Sequence, residues 1–252
     1  MKLFLHQLRG EQRLYWRSRE LAFFTFIFPL LIFVLLGSVY GHDKIKSEGN
    51  VKGSHYLLAG VLGYGVAATA LGGLAIWLVI RREDGILKRV RGTPLPPGTY
   101  LAAVLGSILV VYALEAVALI LLARAFFHVG LPHRVFSLAL AIVLGTLAFA
   151  ALALALSGLI RSAEGSSAVV NAVYLPMAFI SGSFWSVHSY PRALRAIADV
   201  LPLTYFIRLM QDIVLRNVEI WSRPEAVAIV AAWGAGGLLV ALRRFRWEPR
   251  EG

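Results

Sequence analysis

The sequence predicts an all-α integral membrane protein with six transmembrane helices. Three observations carry that prediction. Of 252 residues, 58% are hydrophobic and only 15% charged, with a mean hydropathy of +0.71, too apolar for a soluble domain of this length. The charges fall between long uncharged runs rather than being spread along the chain. The net charge of +11 comes from Lys and Arg gathered at the ends of those runs, as expected of loops that meet anionic lipid head groups. In a soluble chain this excess would raise nucleic acid as a partner; here membrane lipids are expected and nucleic acid is not. Cysteine is absent, which excludes disulfides, thiolate catalysis and cysteine metal sites.

Residues 1–20 are basic and mixed, with Leu5, Leu8, Tyr15 and Trp16 on a loose helical stripe. They predict an amphipathic helix lying in the membrane interface. A signal peptide is the competing reading, disfavoured by the length of the next apolar run, its lack of a small-residue cleavage site and the five further runs. The spans are expected at about 21–41, with Pro29 kinking the first, then 56–80, 100–123, 135–160, 165–187 and 224–242. The second is rich in glycine and alanine, which permits close helix approach in lipid. Between spans five and six, Pro191 and Pro202 each open an amphipathic stretch too short to cross. Residues 191–217 are therefore expected to form short re-entrant or lid helices on the outer side. Nothing divides the chain, so 1–252 reads as a single transmembrane domain.

Six spans put both termini on one side, and Lys and Arg decide which. Fifteen lie on the terminal side, Arg246 and Arg250 of the basic tail among them, against ten on the other. Both termini are expected in the cytoplasm. The polar stretch Arg81–Tyr100, RREDGILKRVRGTPLPPGTY, then lies there too. It predicts a short amphipathic helix over 82–91, with Ile86, Leu87 and Val90 on one face and Arg82, Lys88, Arg89 and Arg91 around the rest. Gly92 is placed as its C′ cap, and Pro94, Pro96 and Pro97 keep it from continuing.

Several chemistries are missing from the sequence. There is no G-x-x-x-x-G-K-[ST] phosphate loop, so this chain is not expected to hydrolyse ATP alone. The six histidines lie outside the uncharged runs without metal-ligand spacing, and neither a catalytic residue nor a metal site is expected. Glu115 is the one ionisable residue deep in a span, where a charge costs about 2.5–3.5 kcal/mol. It reads either as a pathway or coupling residue or as a hydrogen-bonding strut to a neighbouring helix. Tyr64, Asn171, Tyr174, Phe179 and Phe184 mix aromatic and polar character and are candidates for the wall of a path taken by an amphipathic ligand. Aromatic packing between helices explains the same residues without a ligand.

Taken in order, four segments resemble the permease subunits of type-2 ABC exporters, the drug, natural-product and polysaccharide permeases related to the daunorubicin exporter. They are PLLIFVLLG in the first span, RREDGILKRVRGTPLPPGTYLAA after the second, SGLIRSAEGSSAVVNAVYLPMAFISGSFW through the fifth, and YPRALRAIADVLPLTYFIRLMQDI outside. The most specific parts are Arg82-Glu83, Gly85, Arg89 and Thr93-Pro94-Leu95; Ser181-Gly182 with Phe184-Trp185; and Leu201-Pro202-Leu203-Thr204-Tyr205. Glu20 stands where many relatives carry proline. The resemblance implies a permease in the cell inner membrane, a homodimer or a heterodimer with a similar permease, bound to two copies of a separate ATP-binding subunit that holds ATP and Mg. It further implies that helix 82–91 is the coupling helix, through Arg82, Glu83, Gly85, Ile86, Arg89 and Val90. The second and fifth spans would line the path, and Pro202, Leu203 and Tyr205 would belong to an outer lid. An amphipathic drug or natural product is the expected cargo and a lipid-linked polysaccharide the alternative. A proton-coupled secondary transporter using Glu115 is a reading of a different class, disfavoured by the lack of internal repeats. A lipid-modifying membrane enzyme would need a polar cluster that the sequence does not show.

Overall fold

The computed structural model describes residues 2–245 and 248. Arg246 and Arg250 of the expected basic tail lie outside the described residues. The helices are α1 (Lys2–Arg17), α2 (Phe23–Tyr40), α3 (Gly53–Glu83), α4 (Ile86–Arg91), α5 (Pro97–Phe127), α6 (Val135–Leu159), α7 (Ser166–Ile180), α8 (Arg192–Ala198), α9 (Pro202–Arg216) and α10 (Pro224–Arg244). The turn Arg19–Ala22 leads into α2. The polar loop after α2 holds a two-residue antiparallel ladder, Lys44 opposite Lys52 and Ile45 opposite Val51.

Local chemistry sets the boundaries. Proline opens α5, α9 and α10 in the first turn, where a missing N–H costs nothing. His128 and Asn217, both at φ 53, end α5 and α9 in the left-handed conformation. Pro29 acts on the turn before it. It lacks the N–H that would bond Thr25 four residues back and its ring crowds that carbonyl. Residues Phe23–Ile27 correspondingly form a wider π-helical turn. A second π-helical stretch, Ala68–Gly73, interrupts α3.

Among the described residues, five helices are long and apolar enough to cross a membrane: α2, α3, α5, α6 and α10. The expected fifth span at 165–187 is shorter than its apolar run. Its helix stops at Ile180, because Gly182 turns the chain at φ +86. Fifteen residues rise about 22 Å, less than a typical hydrocarbon core of about 30 Å. His55, expected in a loop, lies in the first turn of α3.

The bundle is built around α3. In its most apolar stretch 83% of residues are buried, against 22% in α2 and 22% in α10. On α2 the buried residues Thr25, Pro29, Phe33 and Gly37 recur every fourth position, while Phe24, Leu31, Leu35 and Val39 face outward, a single inner stripe with a lipid-facing remainder. Glycine lets α3 accept neighbours on several sides. A side chain at Gly60 would collide with the Ser183 backbone, and one at Gly65 with Glu115 and Tyr112. The helix α9 lays its apolar face on α3, with Leu203, Phe206, Ile207 and Met210 buried and Ile207 against Gly63. The foot of α1, the end of α3, the end of α6 and the end of α10 meet on one face of the bundle, the terminal face. Arg81 there touches Glu11, Arg82 touches Ser157, and a side chain at Gly158 would meet Arg244.

Candidate functional site

The polar stretch that follows α3 is divided, not one helix. Arg81, Arg82 and Glu83 complete α3, Asp84-Gly85 turns with Gly85 at φ +68, and the surface helix α4 holds only Ile86–Arg91. The expected ten-residue helix over 82–91 is therefore corrected. Aspartate followed by glycine favours a left-handed break over continuation. Glu83 then sits at the C-terminal end of α3, not at the N-terminus of the surface helix. Gly92 caps α4 as expected, in a right-handed conformation at φ −79.

Arg82, expected on the polar face of that helix, is 1% exposed. Its Nη1 donates to Ser157 O at 2.8 Å and its Nη2 to Ile160 O at 2.7 Å, while Nε donates to Glu83 Oε1 at 2.9 Å. The forked guanidinium thus satisfies two carbonyls that the end of α6 leaves open. Arg81 Nη1 donates to Glu11 Oε1 at 3.1 Å and to Tyr100 Oη at 2.9 Å, and its guanidinium lies 3.8 Å over the Trp77 ring. One arginine fastens α3 to α6; the other fastens it to α1 and α5.

On α4 itself Leu87 is fully buried and Val90 packs partly against the core. Ile86 is half-buried, Lys88, Arg89 and Arg91 are exposed, and Arg89 Nη2 donates to Asp84 O at 3.0 Å. Of the three apolar positions, Leu87 anchors the helix while Ile86 and Val90 keep part of their surface outside.

In the first half of α3 the predicted path residues partly converge. Tyr64 lies 5.7 Å from Tyr174 and 5.4 Å from Phe184 between ring centres, and Phe179 lies 5.4 Å from Phe184. Trp185 stacks on Phe179 at 6.3 Å, extending the aromatic row. Tyr64, Tyr174 and Phe184 are buried and Phe179 is exposed. Asn171 lies apart, on the exposed face of α7 with Val169, Val173 and Leu175. Pro202 opens α9, Leu203 is buried beneath it, and the Tyr205 hydroxyl donates to Asp199 O at 2.9 Å. Glu115 is fully buried against α3, its Oε2 3.4 Å from Thr69 Oγ1.

Sequence reasoning missed Glu11, Arg81 and Ser157. A lone carboxylate in a basic amphipathic helix, and an arginine at the last apolar turn of a span, were signals available to find the first two. Nothing local marks Ser157, since it contributes its carbonyl.

Comparison with known proteins gives concordant results. A family model described as ABC-2 type transporter matches residues 2–215. The chain is 26% identical over 173 residues to "Inner membrane transport permease YhhJ" of Escherichia coli K12, covering 67% of this chain and 46% of that protein. It is 24% identical over 207 residues to "Putative transport permease YvfS" of Bacillus subtilis 168, covering 82% and 83%. It is 26% identical over 170 residues to "Probable multidrug ABC transporter permease YbhS" of E. coli K12, covering 64% and 43%. The chain thus spans less than half the length of the two E. coli relatives. With apolar helices fit to cross a membrane and a family match over most of its length, the chain belongs to the ABC-2 type transporter family.

Proposed function

We propose that this chain is the transmembrane permease subunit of an ATP-driven exporter, moving an amphipathic drug or natural product out of the cytoplasm or the inner leaflet. The observation that carries the reading is the placement of α4. A short basic helix with part of Ile86 and Val90 uncovered hangs by a left-handed glycine from the most buried helix of the bundle. Such an element is suited to a cleft on a partner, and in this family the partner is a separate ATP-binding subunit, taken here in two copies. That subunit binds ATP and Mg; this chain positions α4 against it. The membrane is the cell inner membrane, and the terminal face, which carries α4, is the cytoplasmic one.

The path from ATP to cargo runs through α3. From Glu83 to Tyr64 the helix climbs about 28 Å at 1.5 Å per residue, so a tilt imposed at α4 reaches the row formed by Tyr64, Tyr174 and Phe184. Because Tyr64 belongs to α3 and the other two to α7 and its outer turn, that tilt separates or closes the aromatic wall. Aromatic faces among apolar neighbours suit an amphipathic cargo. A second copy covers the exposed face of α7, placing two such walls around one path, and α9 with Pro202, Leu203 and Tyr205 caps it outside. Reconstitution with the ATP-binding subunit tests the reading. The two should co-purify, and vesicles holding both should move an amphipathic dye only with hydrolysable ATP. Transport by the permease alone, driven by a proton gradient and indifferent to ATP, would overturn it.

A further inference from the structure

A small cavity, apolar over most of its wall, lies where α1, the π-helical turn Phe23–Ile27, the π-helical turn Ala68–Gly73 and α5 meet. Its volume is about 40 Å³, and Glu11, Tyr15, Thr25, Thr69, Trp77 and Ser107 bring polar groups to its wall. Each π turn contributes one threonine to it, Thr25 and Thr69. A water needs about 10–15 Å³ of such space and two to four polar partners; the cavity has the size for two or three, and its polar residues are the places where they would be held.

Its two ends differ in character. At the terminal face it is rimmed by Glu11, whose Oε1 accepts from Arg81 Nη1 at 3.1 Å and from Gln7 Nε2 at 2.7 Å. Gln12 Nε2, one residue on, donates to Ser107 O at 2.8 Å. Beside it the Tyr15 hydroxyl is hydrogen-bonded to Thr25 Oγ1 at 2.6 Å, and burial pushes this phenol up to about 12, so it remains a proton-bearing member of the wall at neutral pH. At the deep end is Thr69. From Arg81 to Thr69 the helix climbs about 18 Å, more than half of a hydrocarbon core of about 30 Å.

Thr69 touches two things at once. Thr69 lines the cavity, and its Oγ1 lies 2.5 Å from Gly65 O and 3.4 Å from Glu115 Oε2. One hydroxyl hydrogen serves only one acceptor at a time, and rotation about the C–O bond turns it from Gly65 O to Glu115 Oε2 or to a water in the cavity. Glu115 Oε1 has no hydrogen-bond partner, and among the described residues no cation pairs with the carboxyl. A bare carboxylate at this depth is costly, so Glu115 rests as the neutral acid.

We propose that the cavity is a hydration site that gives Glu115 proton exchange with the terminal face through Thr69. In one passage the carboxyl proton moves to Thr69 Oγ1 as the threonine's own proton moves to a cavity water, leaving a carboxylate and a hydronium. The reverse passage, with a proton drawn from solvent along the water, restores the acid and the neutral water. The proposal concerns the chemistry of a buried carboxyl and stands apart from what the chain carries or what drives it.

Infrared spectroscopy of the purified full chain in lipid tests it. The carboxylic C=O band assigned to Glu115 is the one that Glu115→Gln removes. On transfer to D₂O that band should shift within minutes in the wild type. Thr69→Val, which keeps the shape and removes the hydroxyl, should slow the shift at least tenfold, and so should Val111→Phe, which fills the cavity from α5. Thr146→Val, which removes a buried hydroxyl elsewhere, should leave the rate unchanged. A wild-type band that fails to shift over hours, an exchange rate in Thr69→Val equal to wild type, or the absence of any band lost in Glu115→Gln would each overturn the proposal.

Discussion

Arg82 on α3 caps Ile160 at the end of α6: its Nη2 lies 2.7 Å from the Ile160 carbonyl, and its Nη1 reaches Ser157 O at 2.8 Å. An arginine that family resemblance assigns to the ATPase contact is thus occupied inside the permease, holding α3, from which α4 hangs, in fixed relation to α6. Arg82→Ala leaves both carbonyls without their donor in a buried setting, at about 1–3 kcal/mol each. Thermal unfolding in detergent should show a clear drop in Tm. Arg82→Lys should recover only part of it, since an ammonium lacks the planar fork. An unchanged Tm in the alanine variant would contradict the structural role.

The contact between Gly65 and Glu115 yields a second expectation. A Cβ at position 65 would run into Glu115 Oε1 and lie 2.9 Å from the Tyr112 ring. Gly65→Ala should therefore destabilise the bundle by about 1–3 kcal/mol through overpacking. Gly65→Ala combined with Glu115→Ala should recover part of that loss, a coupling of at least about 0.5 kcal/mol in a double-mutant cycle. Strict additivity would show that the two residues do not meet.

The exposed face of α7 bears on assembly. Val169 and Val173, four residues apart, are 45% and 48% exposed, and the chain has no cysteine of its own. Val173→Cys is thus a background-free probe. In native membranes with mild oxidant it should give a dimer on non-reducing gels. Val135→Cys, more exposed still at 66% but on α6, should not. Equal cross-linking at both positions would reject α7 as the meeting face.

Much of this architecture is legible in the sequence because hydrophobicity in a membrane is nearly binary. Charges at Arg19, Arg81–Arg82 and Arg243–Arg244 mark where α2, α3 and α10 meet the interface, and Pro97, Pro202 and Pro224 mark helix starts to the residue. The aromatic row is legible in part, because Tyr174, Phe179, Phe184 and Trp185 are near neighbours in the chain. Composition does not show which way an arginine points. Arg82 and Arg89 look alike in a basic stretch; one is buried and clamped, the other exposed. Apolar continuity from Gly165 to Val187 likewise conceals the turn at Gly182, since glycine is also common inside membrane helices. The break at Gly85 carries a local signal, Asp-Gly, which the amphipathic pattern on either side outweighed.

Ile86 is the position where coupling and folding separate most cleanly. It is only half-buried, whereas Leu87 beside it is fully enclosed, so Ile86→Asp changes the face offered to a partner while sparing the interior. The decisive measurement is ATP hydrolysis by the ATP-binding subunit reconstituted with this chain in lipid, with and without an amphipathic substrate. The account predicts that Ile86→Asp leaves expression and Tm at wild-type values and lowers substrate-stimulated hydrolysis at least tenfold. Full stimulation in a well-folded Ile86→Asp protein would contradict the assignment of α4 as the coupling element.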